Sequence, residues 1–245
     1  MKIGNAVLKY YSNTNTVEVF LPYYGVHRPE APPVRRGSVS SMDIKAENFS
    51  KSSKRAATQL KGLVIENNLN KMWTLTYRHD MENYDAVVSD FVRFARKLNR
   101  KLKKKFNYVR VIAIQEARAK KYKSEILHIH FATDEEISHS IVCDKWEHGS
   151  IFQSNRSLEK VAGYLVKNIN KDLKQSKYMD RKRYSASQGL KKPYSQVLTL
   201  ESDYKEMLIT SPAVIYKNYN GDEWFQVKDP EHVKKLLGRT NFSSI

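Results

Sequence analysis

Two imidazoles lie two residues apart at His128-Ile129-His130, and a phenol and an ammonium lie three apart at Tyr164 and Lys167. The first pair sits in Glu125–Thr133 (EILHIHFAT), whose composition and alternation read as a β-strand. Side chains at i and i+2 of a strand share a face. His128 and His130 therefore point the same way, with Leu127, Ile129 and Phe131 directed to the core, and form half of a divalent-cation site. The second pair sits on a run whose apolar positions are Leu158, Val161, Leu165, Ile169 and Leu173, a helix capped by Ser157. Residues three apart on a helix are neighbours. A tyrosine hydroxyl can attack phosphorus when a nearby charge orients the phosphate, and a lysine one turn away supplies part of that.

A third metal ligand has to come from the strand beside the histidines. Tyr108–Glu116 (YVRVIAIQE) reads as that strand, with Glu116 at its end and Gln115 in its place if the strand carries a bulge. A carboxylate with two imidazoles and open coordination positions suits Mg²⁺ or Mn²⁺ held for Lewis-acid work.

The elements that must carry these groups follow from the remaining pattern. Val7–Tyr11 and Val17–Leu21 predict a hairpin around the Ser12–Asn15 turn, and residues 26–50, with Pro29, Pro32, Pro33 and Gly37, predict a loop. From Ser50 a helical pattern (Ala56, Leu60, Val64, Ile65) runs to Asn67-Asn68, followed by a short strand at Trp73–Tyr77. A second helix carries Val87, Phe91, Phe94, Leu98 and Leu102. Ala117–Ser124 reads as a basic connection, Ile141–Trp146 as a strand and Glu147–Ser150 as a turn. Further strands are expected at Gln196–Leu200, Ala213–Tyr216 and Trp224–Val227, with Asn220-Gly221-Asp222 turning between the last two. Strands paired by hairpins and interleaved with helices predict an α+β fold with a mainly antiparallel central sheet.

Composition narrows the partner. Lys and Arg number 43 against 26 Asp and Glu, a net charge of +17, and residues 91–115 hold nine Lys or Arg and no acid. With 15 Tyr and 9 Phe alongside this charge, the expected partner is a polyanion with stackable bases, a nucleic acid. One cysteine, Cys143, excludes an internal disulfide and a cysteine-rich metal knuckle, which points to a reducing cytoplasm. No apolar run approaches the ~18 residues of a membrane span and no secretory signal is read, so no membrane partner is expected.

Trp73–Tyr77, then His128-Ile129-His130, then Tyr164 and Lys167 occur in that order on strand, strand and helix. In this the chain resembles the HUH endonucleases, and among them the rolling-circle replication initiators (Rep proteins) of phage and plasmid type. Trp146-Glu147-His148-Gly149 and the basic Arg183–Lys191 (RYSASQGLK) are weaker echoes of the same family. The resemblance covers about residues 50–195. It implies a ferredoxin- or RRM-like HUH fold, with an N-terminal hairpin and linker at 1–49, the endonuclease domain at 50–195 and a C-terminal extension with a β-hairpin at 196–245.

The resemblance also implies an activity: nicking and rejoining of a single origin strand laid on the sheet. His128, His130 and Glu116 are the expected holders of Mg²⁺ or Mn²⁺, Tyr164 the nucleophile that leaves a 5′-phosphotyrosyl link, and Lys167 the group that steadies the phosphate. In the family a Glu, Asp or Gln from the adjacent strand completes the metal site. Some initiators carry a second tyrosine four residues on, where this chain has Asn168. Origin DNA, a host helicase and a host polymerase are the implied partners, in a bacterial or phage-infected cell. An HUH transposase and a non-catalytic RRM-like binder are the alternatives; a histidine-triad enzyme would want a third alternating histidine where Ala132 stands.

Overall fold

The computed structural model describes residues 2–22, 41–171, 178, 180–182, 184–211, 214–219 and 222–237. In chain order the elements are β1 (Lys2–Tyr11), β2 (Thr16–Leu21), α1 (Ser41–Glu66), β3 (Lys71–Leu75), α2 (Tyr84–Leu102), β4 (Val109–Ile114), α3 (Glu116–Tyr122), β5 (Leu127–Thr133) and α4 (His139–Lys145). They continue with β6 (Ile151–Asn155), α5 (Leu158–Lys171), β7 (Ser185–Ala186), β8 (Tyr194–Glu201), α6 (Ser202–Thr210), β9 (Val214–Tyr219), β10 (Asp222–Val227) and α7 (Pro230–Leu237). The chain is α+β and its sheets are antiparallel, as the pattern predicts. It divides into two units, residues 39–191 and the terminal segments 1–38 with 192–245.

The unit of residues 39–191 is built on one sheet of order β6-β3-β5-β4-β7. One face packs Trp73, Leu75, Ile112, Ile129 and Phe131 against the α2 stripe of Val87, Phe91, Phe94 and Leu98. That helix starts where Asn83 Oδ1 accepts from the Ala86 N–H at 3.0 Å and stops at Lys103 in the left-handed region (φ 54°). The other face packs Met72, Val109, Val111 and Ala132 against α1 and α5 through Leu60, Val64, Val161 and Leu165. Both faces being covered, every residue of β5 is buried. The centre of the sheet is therefore no open platform for a DNA strand, contrary to the expectation above.

In the terminal unit the order is β8-β1-β2-β10-β9, so the N-terminal hairpin and the C-terminal strands share one sheet. Its core joins Leu8, Val17, Val19, Phe225 and Val227 to Leu208 of α6 and Val233 of α7.

Four local expectations are corrected. Residues 41–49, read as loop, already belong to α1. Ile141–Trp146 is not a strand: Ser138 caps α4, its Oγ accepting from the Ile141 N–H at 3.4 Å, and this local capping overrides the β-propensity of Ile141 and Val142. The strand in that region is β6, which begins only after the Glu147–Ser150 turn. The strand expected to end at Glu116 ends at Ile114, and Glu116 opens α3, which occupies the connection read as irregular. Residues 26–40 of the expected loop, Leu173, Arg183, Ala213 and the Asn220-Gly221 part of the last turn lie outside the described residues. Among the described residues no helix is long and apolar enough to cross a membrane.

Candidate active site

The register of β5 determines what the histidines meet. His130 stands opposite Thr74 of β3 and Val111 of β4, and His128 opposite Ala113. Both imidazoles lie on the face covered by α1 and α5, with His128 9% and His130 2% exposed. Their Nε2 atoms are 2.8 Å apart and the rings stand nearly perpendicular, at 88°. His130 Nδ1 is 2.9 Å from Thr74 Oγ1. Burial draws the His128 pKa down to about 4. Burial, then the charge of His128 and of Arg156, draws that of His130 down to about 3. At neutral pH both rings are uncharged, and each offers one lone pair to a cation or a donor.

Tyr164 lies one position off the buried stripe of α5 and is half-buried. Its ring meets the His130 ring edge-on at 4.9 Å, and its Oη is 3.3 Å from His130 Nε2. The α5 helix can hold it there because Val161, Ala162, Leu165 and Ile169 pin the opposite side against α1 and the sheet. A phenol oxygen and two imidazole nitrogens thus share one small space.

Lys167, expected to assist, is exposed and makes no hydrogen bond or ion pair among the described residues. Among the described residues a cation that meets the phenol ring is Arg156, which precedes the helix: its guanidinium carbon lies 5.0 Å from the Tyr164 ring centroid. No sequence pattern pointed to Arg156, because a loop residue has no period to place it.

Glu116 is exposed on α3, and among the described residues no group of three His, Cys, Asp or Glu side chains gathers to hold a metal. The ladder explains the separation. The Gln115 N–H donates to the Ile126 carbonyl at 2.7 Å, continuing the β4–β5 register by one pair. Alternation then gives Gln115 the face of Ala113, His128 and His130, while Glu116, the first residue of α3, is exposed. Among the described residues neither Gln115 Oε1 nor His128 Nδ1, both buried, has a hydrogen-bond partner.

The Trp146–Gly149 segment holds Thr74 in place indirectly. The Trp146 Nε1–H donates to the Thr76 carbonyl at 2.9 Å, and the Thr76 and Arg78 N–H groups donate to the Ser150 and His148 carbonyls, each at 2.9 Å. At Gly149 the backbones come so close that a Cβ would stand 2.3 Å from the Thr76 carbonyl oxygen. His148 packs on Tyr77 and Trp146, on the side of the α2 core and away from the imidazole pair.

Residues 70–173 match a family of replication-associated proteins, that of the ORF2 type. The matched stretch runs from β3 to the end of α5 and contains Thr74, Gln115, both histidines, Arg156 and Tyr164. The match covers less than half of the chain and supports a replication initiator of the Rep type. No curated protein and no solved structure matches the chain.

Proposed function

We propose that the chain nicks and rejoins single-stranded origin DNA through a covalent phosphotyrosyl intermediate, as the HUH class of replication initiators does. The observation that carries this reading is the 3.3 Å approach of Tyr164 Oη to His130 Nε2, itself 2.8 Å from His128 Nε2. A phenol needs no such neighbours to pack, whereas a nucleophile must meet its phosphate and an electrophilic assistant at one point.

In this reading Tyr164 Oη bonds to phosphorus as the P–O3′ bond breaks. One proton leaves the phenol and one reaches the 3′-oxygen, so the chain is left on the 5′-phosphate and a free 3′-hydroxyl can prime a host polymerase. The reverse step rejoins the strand without ATP. Arg156, over the ring, holds the phenol's orientation and faces the phosphate charge. Because α1 and α5 close the centre of the face, the strand enters from the β6 edge. There Phe152, 61% exposed and in register with Thr74, offers a ring for the adjoining base.

The donor set fits a divalent cation with Gln115 as third ligand in place of Glu116. His128 and His130 would hold it through their Nε2 atoms, which lie 2.8 Å apart on one face. Gln115 Oε1 is a buried acceptor otherwise left without a donor. Bound there, Mg²⁺ or Mn²⁺ would polarise the scissile phosphate as a Lewis acid. Thr74 Oγ1, accepting from His130 Nδ1–H, would keep Nε2 free for it.

The test is a library of 3′-labelled single-stranded oligonucleotides with Mn²⁺. Wild type is expected to yield a protein–DNA band stable to denaturation, with the mass of a nucleotide on the Tyr164 peptide, and Tyr164→Phe to yield none. An adduct persisting in Tyr164→Phe would refute the nucleophile assignment, and no adduct from wild type would leave a non-catalytic binder.

A further inference from the structure

On the sheet face opposite the histidines, at the β4–β7 edge, a cleft of about 520 Å³ opens beside α2. At its floor is Arg110, in register with Phe131 and Ser185 and only 7% exposed. Its Nε–H donates to Ser185 Oγ at 2.9 Å, its Nη1–H to the Val88 carbonyl at 3.3 Å, and its guanidinium lies 4.8 Å from the Phe91 ring centroid. A guanidinium has five N–H donors, and no carboxylate among the described residues pairs with this one. The titratable groups that its charge feels are Tyr108, Tyr84 and Tyr77. A buried cation without a counter-ion is costly, and a structural role alone would be met as well by an apolar side chain.

At the mouth two cations and two carboxylates balance, so the charge in excess is that of Arg110 at the floor. Arg181 neutralises Asp85 through two contacts of 3.1 Å and stacks over Tyr84. Lys182 and Asp180 also line the cleft. The volume suits one nucleotide, and fork-shaped guanidinium donors match phosphate oxygens. The β7 wall lies beyond residue 173, outside the stretch that matches the replication-associated family.

We propose that this cleft is a second phosphate site, which takes one nucleotide of the DNA strand by its phosphate, on Arg110 with Lys182 at the rim. The inference rests on the reading of the chain as a DNA enzyme. It makes the β7 edge the place where DNA passes to the back of the sheet, so that nucleotides away from the scissile phosphate anchor the protein.

The experiment uses the full chain in the Tyr164→Phe background and measures binding of a fluorescent ten-thymidine strand, of dTMP and of inorganic phosphate across a salt series. Lys182→Glu, on the surface, adds a carboxylate to the cleft lining, and Arg110→Met removes the buried charge. Both variants are expected to bind the strand about tenfold more weakly, the value of one charged contact, and Lys182→Ala to flatten the salt slope by about one. Arg110→Met is further expected to keep or raise the melting temperature of the free protein while losing the rise that the strand gives wild type. Competition by dTMP or phosphate at the strand's own affinity identifies a free-phosphate site and overturns the DNA assignment. Unchanged strand binding in Lys182→Glu and Arg110→Met, with an unchanged salt slope in Lys182→Ala, overturns the site itself while leaving the Tyr164 assignment standing. Failure of wild type to bind any of the three probes overturns this proposal and the DNA reading together.

Discussion

Replacing Thr74 by valine keeps the shape of the side chain and removes one oxygen. That oxygen is 2.9 Å from His130 Nδ1, and the imidazole is 2% exposed, so no water replaces it. Leaving a buried N–H unpaired costs about 1–3 kcal/mol. The cost falls on one tautomer. With Nδ1–H donating to Thr74, Nε2 has a free lone pair; without that acceptor, the proton moves to Nε2, where His128 Nε2 at 2.8 Å can accept it. The lone pair needed by a cation is then lost. Mn²⁺ binding by calorimetry should therefore weaken by about 10–100-fold in Thr74→Val, the usual effect of losing such a supporting contact and the equivalent of that energy in affinity. Adduct formation on single-stranded DNA should slow in proportion at low Mn²⁺ and recover as Mn²⁺ is raised. Thr74→Ser, which retains the acceptor, should stay within about threefold of wild type. Wild-type Mn²⁺ affinity together with wild-type nicking in Thr74→Val would refute the tautomer argument.

Gln115→Ala is expected to weaken Mn²⁺ binding by about 10-fold or more, while Glu116→Ala leaves it unchanged; the opposite order by the same titration would restore the carboxylate. Arg156→Ala should slow adduct formation by about 10–100-fold, within reach of the effect of lost oxyanion donors, and Lys167→Ala by less. Equal rates of single-turnover cleavage in the two variants would deny Arg156 its role. Gly149→Ala forces a Cβ to 2.3 Å from the Thr76 carbonyl oxygen, a backbone contact that cannot rotate away. It should destabilise the unit by about 1–3 kcal/mol, read as a lower midpoint in urea with an unchanged slope.

The pairing of chemistry with local period is what the amino-acid sequence determined unaided. Spacing of two on a strand puts His128 and His130 on one face whatever the sheet around them, and spacing along α5 puts Tyr164 just beside the buried stripe. The α2 stripe and the first hairpin were legible for the same reason, since each repeats one simple period. Where local signals conflicted, as at Ile141–Trp146, β-branched residues argued for a strand and only the Ser138 cap and its packing decided for α4. The tertiary structure alone decided which of Gln115 and Glu116 lies on the face of the histidines. Gln115 faces the histidines because it continues the register against β5 by one pair, and Glu116 does not because the chain turns there into α3; both depend on where β4 ends against its neighbour. It also decided that both faces of the sheet are closed, that Arg156 rather than Lys167 meets the phenol, and that Arg110 is buried without a carboxylate among the described residues. Such facts join residues tens of positions apart, through packing that no window of neighbouring side chains encodes.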